Sequence, residues 1–126
     1  MKLTEMPVHD FLDALASKSP APGGGGGAAM AGALAAALAS MVCNLTLGKE
    51  KYAAVQDDMR DMVDKTEALR HRLTRLVEAD EEAYNVLSAA YRLPKDTDEQ
   101  KKARTAAIQK ALINATATPM EIAQAC

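Results

Sequence analysis

The sequence predicts an all-α fold, a bundle of long antiparallel helices that is expected to dimerise, and three observations carry the helical part. No run of β-branched residues alternates with polar ones for long enough to make a strand. Proline and glycine cluster in a few places and leave long stretches free of both. Within those stretches apolar residues recur every three and four positions. With 126 residues the chain has room for one domain.

The first helix is expected from about Met6 to Ser17, with Val8, Phe11, Leu12 and Leu15 on one face, and Ser19-Pro20-Ala21-Pro22 forbids its continuation. Gly23 to Gly27 then reads as a loop opening into a second helix from Ala28 to near Gly48. That helix is mostly alanine, interrupted by Ser40, Asn44 and Thr46, and its small side chains suit close packing inside protein rather than a membrane span. From Lys51 to Leu93 there is neither Gly nor Pro. The series Tyr52, Val55, Met59, Met62, Thr66, Leu69, Leu73, Leu76, Asp80, Ala83, Leu87, Ala90 marks one long buried seam on a helix that either runs through or breaks once. Leu93-Pro94-Lys95 closes it. A further helix starts after Thr97, with Gln100 in the capping-box position, and runs to about Ala117 with Ala103, Ala107, Ala111 and Ala115 on one side. Thr118-Pro119-Met120-Glu121 spells another helix start, cut off at Cys126, which reads as the N-terminal part of a larger helical domain or as a helix that docks on a partner.

Composition excludes several classes of function. Fifteen basic against seventeen acidic residues, one Phe, three Tyr and no Trp give no electrostatic or stacking basis for nucleic-acid binding, and a membrane-surface role is equally unsupported. Two distant cysteines, Cys43 and Cys126, fit neither a disulfide scaffold nor a zinc site, and a reducing cytoplasm is the expected compartment. His9 and His71 have no triad or metal-ligand pattern around them.

Asp80 is the sharpest chemical signal, because it is the only charged residue on the seam. Burial there disfavours its charge, so a carboxyl group held in this way can exchange protons in the neutral range. The plainer reading is an Asp paired to Arg70, Arg72 or Arg104, or a seam that leaves the core at that turn. The glycine run before a helix offers free N–H groups to an anion or a partially negative oxygen; it lacks the Gly-Lys-Ser/Thr of a phosphate loop, and without its flanks it would read as a linker. Asn44 can bond a polar ligand or cap a neighbouring helix. Lys95 and Arg104 flank the turn before the last helix, where cations can clamp a carboxylate or merely face solvent.

These blocks resemble, in order, a known family. Ser19-Pro-Ala-Pro-Gly-Gly-Gly, the alanine helix through Met41-Val-Cys-Asn-Leu-Thr-Leu-Gly-Lys-Glu-Lys-Tyr52, Asp80-Glu-Glu-Ala-Tyr84, Ala90-Tyr-Arg-Leu-Pro-Lys95, Arg104, Ala107-Ile-Gln-Lys-Ala-Leu112 and Pro119 are similar to the cyclodeaminase/cyclohydrolase domain of the formiminotransferase-cyclodeaminase family. The resemblance implies a dimeric, all-helical, cytoplasmic enzyme of folate one-carbon chemistry that uses no metal and no cofactor beyond its tetrahydrofolate substrate. Its reaction would be hydrolysis of 5,10-methenyltetrahydrofolate or expulsion of ammonia from 5-formiminotetrahydrofolate. It implies Asp80 as the acid/base group, Gly23, Gly24 and Gly25 as the backbone that approaches the ligand, and Lys95 and Arg104 as holders of the folate's glutamate carboxylates; Asn44 joins them as a substrate-binding candidate. The glycine run is longer than the family's usual three, and the family domain has more helices than this chain contains. The rival is a non-catalytic helical dimerisation module in which Asp80 only fixes register.

Overall fold

The computed structural model describes all 126 residues, and every regular element in it is helical. A short 3-10 turn, Leu3–Glu5, precedes α1 (Val8–Ala16); α2 (Gly24–Thr46), a second 3-10 stretch (Glu50–Val55), α3 (Gln56–Tyr91) and α4 (Asp98–Ala125) follow. α2 runs antiparallel to α3, as Gly26 meets Asp80 at one end and Thr46 meets Gln56 at the other. α4 returns antiparallel to α3, with Glu121 on Arg72 and Arg104 on the Tyr91 carbonyl.

The core lies where three helices overlap. Ala29 and Ala33 of α2, Leu73, Leu76 and Val77 of α3, and Ile122 and Ala125 of α4 form it, and Leu3 and Phe11 close it from the N-terminal segment. The inward face of α2 is Gly26, Ala29, Ala33, Ala36, Ser40 and Cys43, at alternating spacings of three and four. Such small side chains let α3 approach closely, and the buried Ser40 and Thr66 hydroxyls bond across the contact at 2.7 Å.

Four expectations need correction. The second helix begins inside the glycine run, at Gly24 rather than Ala28, because Asp80 supplies the cap that glycines cannot. That helix is not buried all round: it is long and apolar enough to cross a membrane, yet only 28% of its most apolar window is buried, and Leu34, Leu38, Met41, Val42 and Leu45 face outward. The long seam is not buried throughout: Tyr52 and Val55 lie in the 3-10 stretch before α3, where Tyr52 leaves helical dihedrals, and the rest runs along α3, about 54 Å at 1.5 Å per residue. The seam is buried at Thr66, Leu73, Leu76 and Ala90, with Val77 buried beside it, while Tyr52, Val55, Met62 and Leu69 are exposed. The antiparallel pairings explain the exposed first half of α3, since α4 ends near the level of Arg72 and leaves the turns before it covered by α2 alone. Finally, Thr118-Pro119 starts no new helix. α4 continues through Pro119 to Ala125, because the buried Ile122 and Ala125 and the Arg72–Glu121 ion pair (3.1 Å) hold its last turns against α3.

Other local signals act as the sequence predicts. Thr97 and Gln100 form the reciprocal capping box, with the Gln100 N–H donating to Thr97 Oγ1 at 3.1 Å and the Thr97 N–H to Gln100 Oε1 at 3.2 Å. Gly48 adopts a left-handed φ of 76° just past α2 and donates its N–H to Gln56 Oε1 at 2.8 Å.

The N-terminal segment is fastened by Glu78, whose Oε1 accepts both the Thr4 N–H (2.8 Å) and the Thr4 hydroxyl (2.7 Å). Burial pushes this carboxyl upward, but the Thr4 bonds outweigh it, and its pKa lies below the ordinary value of 4.5. A depressed folded-state pKa gives stability that is present above the unfolded value and is lost as pH falls through the folded one. Amide exchange at Leu3 to Phe11 is therefore expected to accelerate as pH drops below about 4.5, after correction for intrinsic rates, and Glu78→Gln should abolish that acid step.

Candidate active site

The site is built where the first turn of α2 meets α3. Four glycines at Gly24 to Gly27 make a poor helix start, each costing roughly 1 kcal/mol relative to alanine. Gly23, the N-cap, has no side chain to accept the free N–H groups. Asp80 does this from the neighbouring helix: its Oδ2 accepts the Gly26 N–H at 2.9 Å. None of the arginines proposed as structural partners pairs with it. Arg70 grips Glu67 (2.6 Å), Arg72 grips Glu121, and Arg104 donates to the Tyr91 carbonyl at 3.3 Å.

Close approach explains why a glycine is needed at one position of the run. A Cβ on Gly25 would lie 2.3 Å from Asp80 Oδ1, 2.7 Å from its Cγ and 2.9 Å from Oδ2. A Cβ on Gly24 would meet nothing within 4 Å. The half-buried carboxylate of Asp80 thus rests on bare backbone, with Oδ2 engaged by Gly26 and Oδ1 beside Gly25.

Beside it opens a cavity of about 310 Å³ lined by Pro20, Ala21, Gly23, Gly24, Asp80, Glu81, Tyr84 and Ala115. This volume is at the lower end for small-molecule sites, enough for a ring system with the remainder of a longer ligand outside. Its polar groups are two carboxylates, a phenol and the backbone of a helix N-terminus. A larger groove of about 530 Å³ between α1 and α2 is lined mainly by Leu3, Met6, Phe11, Leu15, Met30 and Leu34 and has no group that can move a proton. Of the two, the smaller cavity is the one lined by carboxylates and a phenol and is the candidate site. No three His, Cys, Asp or Glu side chains converge as metal ligands.

Of the residues singled out from the sequence, the structure brings together Asp80, Gly23, Gly24 and Gly25. Lys95 lies exposed in the turn between α3 and α4, and Arg104 is partly buried beside it, with Nε enclosed and unpartnered. Both sit at the end of the bundle, where Tyr91 is about 16 Å along α3 from Asp80. Asn44 is exposed near the far end of α2, about 30 Å from Gly24, so it does not reach this cavity within one chain. Glu81, Tyr84 and Ala115 also line the cavity, and sequence reasoning singles out none of them as a site residue. Helical spacing was the available signal for Tyr84, one turn beyond Asp80 on the same face.

Comparison with known proteins agrees with this architecture. Residues 7–126 match the family model described as Formiminotransferase-cyclodeaminase. A protein of Methylorubrum extorquens named methenyltetrahydrofolate cyclohydrolase is 51% identical over 119 residues, covering 94% of this chain and 57% of that protein. The formimidoyltransferase-cyclodeaminase of Sus scrofa is 39% identical over 122 residues, 97% of this chain and 23% of that protein. The crystal structure of formiminotetrahydrofolate cyclodeaminase from Thermotoga maritima superposes with a TM-score of 0.79 at 31% identity, covering 98% of this chain and 58% of that one. The chain thus spans a little over half the length of the cyclohydrolase and of the solved cyclodeaminase. It belongs to the formiminotransferase-cyclodeaminase family.

Proposed function

We propose that this chain acts on the one-carbon bridge between N5 and N10 of tetrahydrofolate, as a methenyltetrahydrofolate cyclohydrolase or a formiminotetrahydrofolate cyclodeaminase. The observation that carries the reading is the Asp80 carboxylate, held by the Gly26 N–H yet lining a cavity at the start of α2. The higher identity to a protein named cyclohydrolase than to those named cyclodeaminase favours the hydrolytic reaction.

In that reaction Asp80 takes a proton from water as the water oxygen bonds to the bridge carbon, giving a tetrahedral carbon between the two nitrogens. The C–N5 bond then breaks as the hydroxyl on that carbon loses its proton to solvent and becomes the formyl carbonyl, N5 receives the proton that Asp80 had taken, and 10-formyltetrahydrofolate is left. In the deaminating reaction N10 attacks the formimino carbon, loses its proton, and the protonated amino group departs as ammonia. Both need one group that accepts and returns a proton beside the same carbon, and Asp80, as a carboxylate lining the cavity, is assigned that role. The carboxylates of Asp80 and Glu81 also suit the cationic charge that the methenyl bridge carries. Lys95 and Arg104, a helix segment away, are assigned to the glutamate carboxylates at the other end of a long ligand.

The exposed apolar stripe of α2, from Leu34 to Leu45, supports self-association and gives the dimerisation-module reading its one specific observation. A dimer is expected under either reading, so folate response separates them. 5-Formyltetrahydrofolate should raise the melting temperature progressively with concentration, as a ligand selective for the native state must. An unchanged melting temperature at millimolar folate would leave the dimerisation module.

A further inference from the structure

Pro119 is an anomaly that the proposed chemistry has not used. It lies inside α4, where proline removes the N–H that would donate to the carbonyl four residues earlier and crowds that carbonyl with its ring. The carbonyl concerned is that of Ala115, and Ala115 is the one residue of α4 that lines the Asp80 cavity. The α4 hydroxyls that turn back onto the helix serve other carbonyls: Thr105 donates to Lys101 at 2.9 Å and Thr116 to Leu112 at 2.8 Å. Ala115 is half-buried and Pro119 exposed, so a carbonyl without its helical donor is open there to a donor from outside the helix. Ala115 shares that cavity with Asp80 and with Gly23 and Gly24 at the start of α2.

We infer that Pro119 acts as a positioning residue, freeing the Ala115 carbonyl to accept a hydrogen bond from an N–H or O–H of the ligand held beside Asp80. The inference rests on the folate reading of the cavity and adds to it a second acceptor, on α4. A donor caught between Asp80 on α3 and Ala115 on α4 is fixed from two helices, which restricts how the ring can turn in the site. It also explains why the helix retains a residue that disfavours its own interior.

The test restores the missing donor and separates it from the loss of the ring. Pro119→Ala returns an N–H to position 119; replacing Pro119 by lactic acid, an ester in place of the amide, removes the ring without returning the N–H. Titration with 5-formyltetrahydrofolate reads binding, and amide exchange at residue 119 reads the new helical bond. We expect Pro119→Ala to melt higher than the parent, to show a protected amide at 119, and to bind the folate roughly fivefold more weakly, the value of one net hydrogen bond. The ester variant should bind as the parent does. Equal affinity of Pro119→Ala and the parent, or equal weakening of both variants, would overturn the inference while leaving the folate reading intact. Failure of the parent itself to bind would remove both.

Discussion

Asp80→Asn is expected to fold like the parent and to lose between about a hundredfold and ten-thousandfold in turnover, the range that a single acid/base group contributes. The two halves of that result come from different atoms. Asparagine keeps a carbonyl oxygen that can accept the Gly26 N–H, so the cap on α2 survives and the melting temperature stays near that of the parent. What it loses is the ability to take and return a proton. Asp80→Ala removes both functions and should also cost about 1 kcal/mol of stability through the missing cap. Thermal denaturation beside a rate measurement checks the pair, and retained turnover in Asp80→Asn would remove Asp80 from the chemistry.

Gly25→Ala should damage both stability and turnover, although alanine is the better helix former. The gain in helix propensity is roughly 1 kcal/mol. Against it, a methyl group 2.3 Å from Asp80 Oδ1 and 2.7 Å from Cγ cannot be accommodated unless the carboxylate swings away and releases Gly26. Overpacking of this kind costs about 1–3 kcal/mol, and the lost cap about 1 more, so the substitution is net destabilising. Because the displaced group is Asp80, turnover should fall about as far as in Asp80→Asn. Gly24→Ala is the internal control, since its methyl group meets nothing within 4 Å and should raise stability by a few tenths to 1 kcal/mol. Equal melting temperatures for the two alanine variants would show that the close contact at Gly25 is not present in solution.

Local rules read well where local forces decide. The helical class follows from periodicity, and the start of α4 was readable at the level of the atoms, because the Thr97–Gln100 capping box is made within four residues. Gly48 ended α2 for the same kind of reason. The misread boundaries are those set from outside the segment. Gly24 to Gly27 look like a loop because glycine propensity opposes a helix; only Asp80, 54 residues further along the chain, turns them into its first turn. Pro119 looks like a helix start because Thr118 and Glu121 complete the local pattern, yet Ile122, Ala125 and Glu121 find partners only if α4 runs straight through.

The candidate site divides in the same way. Asp80 was visible as a charge on an apolar seam, and the glycines were visible as a run. Their contact was not, since nothing local states that Gly25 must lack a side chain to seat a carboxylate from another helix. Tyr84 and Ala115 are ordinary residues in sequence and enter the cavity only through the packing of α3 and α4. Asn44 stood out as a polar residue on an apolar helix, but the length of α2 carries it to the opposite end of the bundle.

The most direct test of the account is the rate at which this chain consumes 5,10-methenyltetrahydrofolate, followed by loss of its absorbance after subtraction of spontaneous hydrolysis. Consumption is expected to be proportional to protein concentration and saturable in folate, with 10-formyltetrahydrofolate as product. A rate equal to background at every protein concentration would contradict it and assign the Asp80 carboxylate to capping α2 alone.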